Sequence, residues 1–118
     1  MSKIYVASNN VKRAQSIMSL LKENGHTITF DWTINIENSS EQDKEKAIIE
    51  REAIRNCDAL VYLWDENQES ARYEAGMAMG LGKKVIVSGN HKSFFFQLPE
   101  IVSAETDDRI IENLYVIK

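Results

Sequence analysis

One cysteine, Cys57, and one proline, Pro99, occur in 118 residues. A single thiol cannot close an intramolecular disulfide, which excludes a disulfide-stapled secreted domain and predicts a reducing, cytoplasmic compartment. Positive charge is also scarce: 14 Lys and Arg stand against 18 Asp and Glu, a net charge of −4. A sequence-independent hold on a nucleic acid polymer or an anionic membrane needs a clustered basic surface, and this balance argues against both. No apolar run reaches the roughly 18 residues of a membrane-spanning helix. The first five residues lead straight into a strand-like run and lack the apolar stretch of a signal peptide. Glycine-rich phosphate loops of the GxGxxG and GxxxxGK types are missing. Neither His26 nor His91 has a second His or Cys at metal-ligand spacing, so no metal and no other cofactor is expected.

What the chain does have is 43% hydrophobic and 27% charged residues, enough for one packed domain over residues 1–118. Short β-branched and aromatic runs alternate with helical patterns. Ile4, Tyr5, Val6 and Ala7 are apolar without interruption, as in a strand buried on both faces. Residues 11–24 place Ala14, Ile17, Met18, Leu20 and Leu21 at helical spacing, and Gly25 stops the helix. Residues 27–33 alternate and predict a second strand. A polar stretch then leads into a helix capped by Ser39 or Ser40, with Ala47, Ile48, Ala53 and Ile54 as its apolar face up to Asn56. The strongest strand spans 59–64, followed by a polar loop, a helix over about 71–81 closed by Gly82, and a strand over 84–87. An aromatic loop, Phe94-Phe95-Phe96, precedes Pro99. A short strand over 101–103 and a helix over 106–114 capped by Thr106 complete the pattern.

Strand–helix alternation of this kind predicts a parallel α/β sheet of four to five strands with helices on both faces. Ligands of such sheets sit beyond the carboxyl ends of the strands, where the strand order reverses. That rule points to residues 8–10, 32–33, 65–74 and 88–91. Glu74 is the sharpest candidate, in the first turns of a helix that follows a central strand, with the small pair Ala75-Gly76 behind it. Its simpler reading is a solvated acid near the positive end of the helix dipole. Glu50 lies among Glu45, Lys46, Arg51 and Glu52, the composition of a salt-bridged helix face. Asp58 reads as a structural turn residue, His26 as a turn residue and Cys57 as a small buried one. His91 lies in a loop near the crevice, while Trp32 and Trp64 end strands on the ligand side. The Phe94–Phe96 run fits core or a subunit contact.

Several segments, taken together, resemble one family. They are Lys3-Ile4-Tyr5-Val6-Ala7-Ser8, Gly25-His26-Thr27-Ile28-Thr29, the run from Ile54 to Val61, the run from Tyr73 to Val87, and Phe94 to Pro99. Across almost its whole length the chain resembles the nucleoside 2-deoxyribosyltransferases, including their nucleotide N-glycosidase branch. The resemblance implies a flavodoxin-like doubly wound fold and cleavage of the bond between deoxyribose and base. It implies that Glu74 is the nucleophile on the anomeric carbon. Glu50 matches an upstream acidic residue, commonly Asp, that positions or protonates the substrate. Tyr5 matches a tyrosine beside the sugar and the nucleophile. It also implies a homo-oligomer in which a neighbouring subunit closes the site.

Three features depart from the family pattern. The loop over 68–72, Gln68-Glu69-Ser70-Ala71-Arg72, lacks the usual glycines, Ala75 replaces a Leu, and Glu50 is one methylene longer than Asp. The loop carries the 5′-phosphate contact in the hydrolase branch, so Ser70, Arg72 and Arg13 are the donors expected to substitute there. Ser8, Asn9, Trp32 and Asp65 complete the expected substrate-binding set. The expected substrate is a (deoxy)nucleoside or its 5′-monophosphate, with hydrolysis and transfer both open. The alternatives are a non-catalytic nucleotide-binding module on the same scaffold, and an interaction protein built around the aromatic loop. Glu74, Glu50 and Tyr5 occurring together favour the enzyme.

Overall fold

A computed structural model describes residues 2–34, 40–89 and 93–114. Five strands form one parallel sheet: β1 (Lys3–Ala7), β2 (Thr27–Ile28), β3 (Ala59–Leu63), β4 (Lys84–Ser88) and β5 (Ile101–Ala104). Their order is β2-β1-β3-β4-β5, the flavodoxin-like doubly wound order, with its reversal between β1 and β3. The helices are α1 (Val11–Glu23), α2 (Ser40–Asn56), α3 (Glu69–Gly80) and α4 (Ile110–Leu114), with single 3₁₀ turns at Phe94–Gln97 and Asp107–Arg109. No described helix is long and apolar enough to cross a membrane.

Side chains alternate across the pleat, so each strand feeds two cores. Register aligns Tyr5 with Leu60, Leu60 with Val85, and Val85 with Ile101, and all four belong to the core beneath α2 and α3. The next row, Val6, Val61 and Ile86, faces the other core, where Ala14, Ile17, Met18 and Leu21 of α1 and Ile110 of α4 close over it. Helices α2 and α3 meet the sheet through small residues, Ala53, Ala71, Ala75 and Ala78, which lets their backbones lie close to it. Gly25 and Gly82 take positive φ, 86° and 73°, directly after α1 and α3, the left-handed conformation glycine supplies at helix ends.

Several boundaries differ from the sequence reading. The second strand is two residues long rather than seven. After Thr29 donates its backbone N–H to the Ile4 carbonyl, the chain turns, and the Asp31 carboxylate accepts the backbone N–H of Thr33 at 2.9 Å. That local side-chain bond replaces the sheet ladder, a competition to which Asp and Thr are prone. Helix α3 begins at Glu69, two residues earlier than expected, and β3 stops at Leu63. The terminal helix divides into a 3₁₀ turn and α4, and Thr106 makes no side-chain capping bond to a backbone N–H. In α2, Ala53 and Ile54 are buried but Ile48 is exposed, so the apolar face is shorter than its pattern. Of the two serines expected to cap that helix, Ser40 is its first residue and Ser39 lies outside the described residues.

Candidate active site

Burial on both faces makes Ile4–Ala7 of β1 apolar, and the one polar side-chain atom in that run is the Tyr5 hydroxyl. Tyr5 is fully buried on the α2/α3 side, and its ring lifts the hydroxyl into the seam between those helices. Glu50 descends from α2 and Glu74 from the second turn of α3. The hydroxyl lies 3.1 Å from Glu50 Oε1 and hydrogen-bonds Glu74 Oε2 as well. Residues 5, 50 and 74 thus converge on one point beside the carboxyl ends of β1 and β3, where the strand order reverses.

The electrostatics follow from this packing. Glu74 is only 7% exposed. Burial penalises its carboxylate form, and the hydrogen bond with Glu50 adds to that, so its pKa is pushed up to about 8, although the Tyr5 hydroxyl pulls the other way. Tyr5 is raised far above the ordinary phenol range, first by burial and then by the charge of Glu74. A carboxyl so buried and so close to a second one does not ionise cheaply, so Glu74 keeps its proton through neutral pH. Two carboxyl groups bridged by a hydroxyl therefore face the same space.

That space is a cavity of about 440 Å³ lined by Ser8, Asn9, Trp32, Glu50, Ser70 and Glu74. The volume suits a small-molecule ligand. Trp32 is held by its indole N–H, which donates to the Val6 carbonyl at 2.7 Å. Ser8 braces the β1–α1 turn, its hydroxyl accepting the Asn10 N–H at 3.0 Å. The Asn9 side-chain amide donates to the Asn67 carbonyl, joining that turn to the loop before α3. Six of the ten residues expected at the site therefore line this cavity or meet at its floor: Ser8, Asn9, Trp32, Ser70, Glu50 and Glu74. Tyr5 makes a seventh beneath them.

The other three stand elsewhere. The Arg13 guanidinium pairs with Asp107 at 2.7 and 2.8 Å and donates to the carbonyls of Trp64 and Ser88. Arg72 is exposed, hydrogen-bonds the Tyr62 hydroxyl, and borders a separate cavity of about 350 Å³ with Tyr62, Trp64, Met79, Phe95 and Phe96. Asp65 is half-buried, accepts the Asn67 N–H at 3.4 Å, and contributes its charge to Arg13. Among the structural readings, Asp58 accepts the Lys3 N–H at 2.8 Å, His26 Nδ1 accepts the Ser2 N–H, and Cys57 is buried. His91 lies outside the described residues. Phe96 packs edge-on against Tyr62 at 5.5 Å, while Phe94 and Phe95 are exposed. Among the described residues no cluster of His, Cys, Asp or Glu is arranged to hold a metal ion.

Two residues at this edge of the sheet escaped the sequence reading. Asp107 is 94 residues from Arg13, and no local pattern links them. Gln68 is buried at the start of α3 with its side-chain oxygen unpartnered. A polar loop of six residues conceals which one turns inward.

Comparison with known proteins gives the fold and the family. No curated protein sequence matches the chain. Among solved structures, the CMP N-glycosidase of Clostridium botulinum superposes with a TM-score of 0.69 at 17% identity, covering 97% of this chain and 98% of the other. A 2-deoxyribosyltransferase from Bacillus psychrosaccharolyticus gives 0.62 at 19% identity, covering 92% and 89%. Both share the fold. The nucleoside 2-deoxyribosyltransferase family model matches residues 3–108, and with nearly the whole chain matched, the protein belongs to that family.

Proposed function

We propose that the protein cleaves the N-glycosidic bond of a (deoxy)nucleoside or its 5′-monophosphate, with Glu74 as nucleophile. The observation that carries this reading is the contact of the Tyr5 hydroxyl with both Glu50 and Glu74 beside a ligand-sized cavity. An oxygen of Glu74 bonds to the anomeric carbon as the carbon–nitrogen bond breaks, and the bond's electron pair leaves with the base. The departing nitrogen needs a proton, and Glu50 delivers it. In the resting site burial favours the proton on Glu74. Tyr5 touches both carboxyls, so its hydroxyl relays that proton to Glu50 as substrate binds. Water or a second base then attacks the anomeric carbon, gives its proton to Glu50 and releases the Glu74 carboxylate. Base release declines as pH rises past about 8, where Glu74 loses the proton that the leaving base needs.

The exposed apolar side chains Ile48 and Ile49 of α2, Tyr73 and Met77 of α3, and Phe94 and Phe95 support self-association. We expect a homo-oligomer by light scattering at micromolar concentration, and a monomer there contradicts it.

The decisive experiment incubates the protein with deoxynucleosides, ribonucleosides and their 5′-monophosphates, with and without an acceptor base, and follows free base by chromatography. Glu74→Ala and Glu74→Gln are expected to release none, and activity within a few-fold of wild type in either removes Glu74 from the nucleophile's role. Arg72→Ala separates the phosphate question. Loss on monophosphates alone makes Arg72 a phosphate contact despite its place beside the other cavity.

A further inference from the structure

We propose that Arg13 is a positioning residue: its guanidinium ties the carboxyl ends of β3 and β4 to Asp107 and thereby holds the loop that delivers Glu74 to its cavity. Four of its five N–H groups are engaged. Nε and Nη2 fork onto Asp107 at 2.7 and 2.8 Å, Nη1 donates to the Trp64 carbonyl at 2.7 Å, and Nη2 donates to the Ser88 carbonyl at 3.2 Å. Trp64 is the first residue beyond β3, where ladder bonds run out. Its own N–H reaches the Ser88 carbonyl at 2.9 Å, so that carbonyl accepts from both Trp64 and Arg13. Asp107 is held a second time by the Ser88 hydroxyl. Arg13 raises its own charge stability through Asp107, and Asp107 is held below the usual carboxylate range by the same contact. The fork geometry belongs to a guanidinium, and an ammonium cannot reproduce it.

The junction has no slack. Gly89 leaves β4 at φ +125°, and a Cβ there would stand 3.3 Å from both Cβ and O of Trp64. The chain from Trp64 runs only to Gln68 before α3 begins, and Gln68 makes no side-chain capping bond. The start of α3 is therefore set from outside. Asn9 grips the Asn67 carbonyl and Arg13 grips the Trp64 carbonyl, suspending the intervening residues between two ties from the β1–α1 turn and α1. Glu74 lies in the second turn of that helix, and a displacement of the helix by an ångström costs about 10²-fold in rate in well-positioned active sites.

The kinetic part of the test rests on the N-glycosidase reading, and the structural part does not. Arg13→Ala, Arg13→Lys and Asp107→Asn are made in the full chain and compared with wild type by hydrogen exchange, and by carbon-13 titration of the Glu74 carboxyl. Arg13→Ala is expected to speed exchange selectively across residues 65–72 and to lower the titration midpoint of Glu74, because a loosened helix admits water. Where wild type releases base, kcat falls about 10-fold to 100-fold with KM nearly unchanged, and millimolar guanidinium ion restores part of it. Arg13→Lys behaves like Arg13→Ala, which also serves if the alanine variant fails to fold, and Asp107→Asn shows the same changes more weakly. Unchanged exchange over residues 65–72 overturns the proposal. So does a uniform rise across the chain with the Glu74 titration unmoved, the signature of general destabilisation. If wild type releases no base, the reading of the activity fails, while exchange and titration still decide the role of Arg13.

Discussion

On the α1/α4 side of the sheet the strands present Ile4, Val6, Val61, Leu63 and Ile86, and the helices answer with Ala14, Ile17, Met18, Leu21 and Ile110. The buried side chains of that core are aliphatic apart from Met18, with Trp32 packed at the edge, and none of them is titratable. On the α2/α3 side the same strands present Tyr5, Ala7, Leu60 and Tyr62 against helices that contribute alanines, and the room those alanines leave admits Glu74. One face thus maximises dispersion and apolar burial. The other tolerates a buried carboxyl, a half-buried one beside it and a buried phenol, which cost free energy unless hydrogen-bonded. The difference teaches that stability and chemistry are divided between the two faces by the two-residue period of the strands.

The sharpest break of that division is Glu74→Gln. Base release is expected to fall by about 10³-fold or more, since an amide cannot form the glycosyl ester. Stability moves the other way. The folded-state pKa of Glu74, about 8 against an ordinary 4.5, means the folded protein holds a proton that the unfolded chain releases. Its contribution is full below about 4.5 and is lost as pH rises through about 8. Thermal melts at pH 6 and pH 9 are expected to show wild type losing more stability than Glu74→Gln, and equal losses contradict the buried-acid picture.

Leu21→Ala probes the opposite face. Leu21 is fully buried in the aliphatic core, so truncation is expected to cost about 2–5 kcal/mol in urea unfolding. The kcat of the folded fraction should stay within about twofold, because Leu21 does not line the cavity and α1 still presents Arg13 to Asp107; a large kcat loss would show that the faces are coupled.

Tyr5→Phe keeps the ring and removes the bridge between the carboxyls. The expected loss in kcat is about 10²-fold, the lower range for general acid–base groups, with KM little altered. A variant as active as wild type would leave the two carboxyls to exchange their proton unaided. The smallest effect is Asp58→Ala, which removes one hydrogen bond to the Lys3 N–H. It is expected to cost about 1 kcal/mol in stability with no kinetic consequence.

The uninterrupted apolar runs of β1, β3 and β4, the periodicity of α1 and the glycines after α1 and α3 made the parallel doubly wound fold legible in one dimension. Local rules suffice there, because strand burial and helix termination depend on neighbours a few residues away. The same rules misjudged β2, where the Asp31–Thr33 bond outcompeted pairing, and the polar, weakly amphipathic α2. From position alone Glu50 looked like one more charge on a solvated helix face, and only the resemblance to a family singled it out. The meeting of Tyr5, Glu50 and Glu74 is a tertiary event. Residues 45 and 69 positions from Tyr5 reach its hydroxyl because α2 and α3 cross the same face of the sheet. Arg13 shows the reverse case. Its sequence position suits an anion site, yet Asp107, 94 residues away, takes its guanidinium. Composition and periodicity thus determined most of the strands and helices and the apolar residues that β1, β3, β4 and α1 bury, since those depend on the transfer of side chains from water. Which buried polar group meets which partner was decided only by the packed fold, because a hydrogen bond depends on ångström-scale geometry between segments that the sequence keeps far apart.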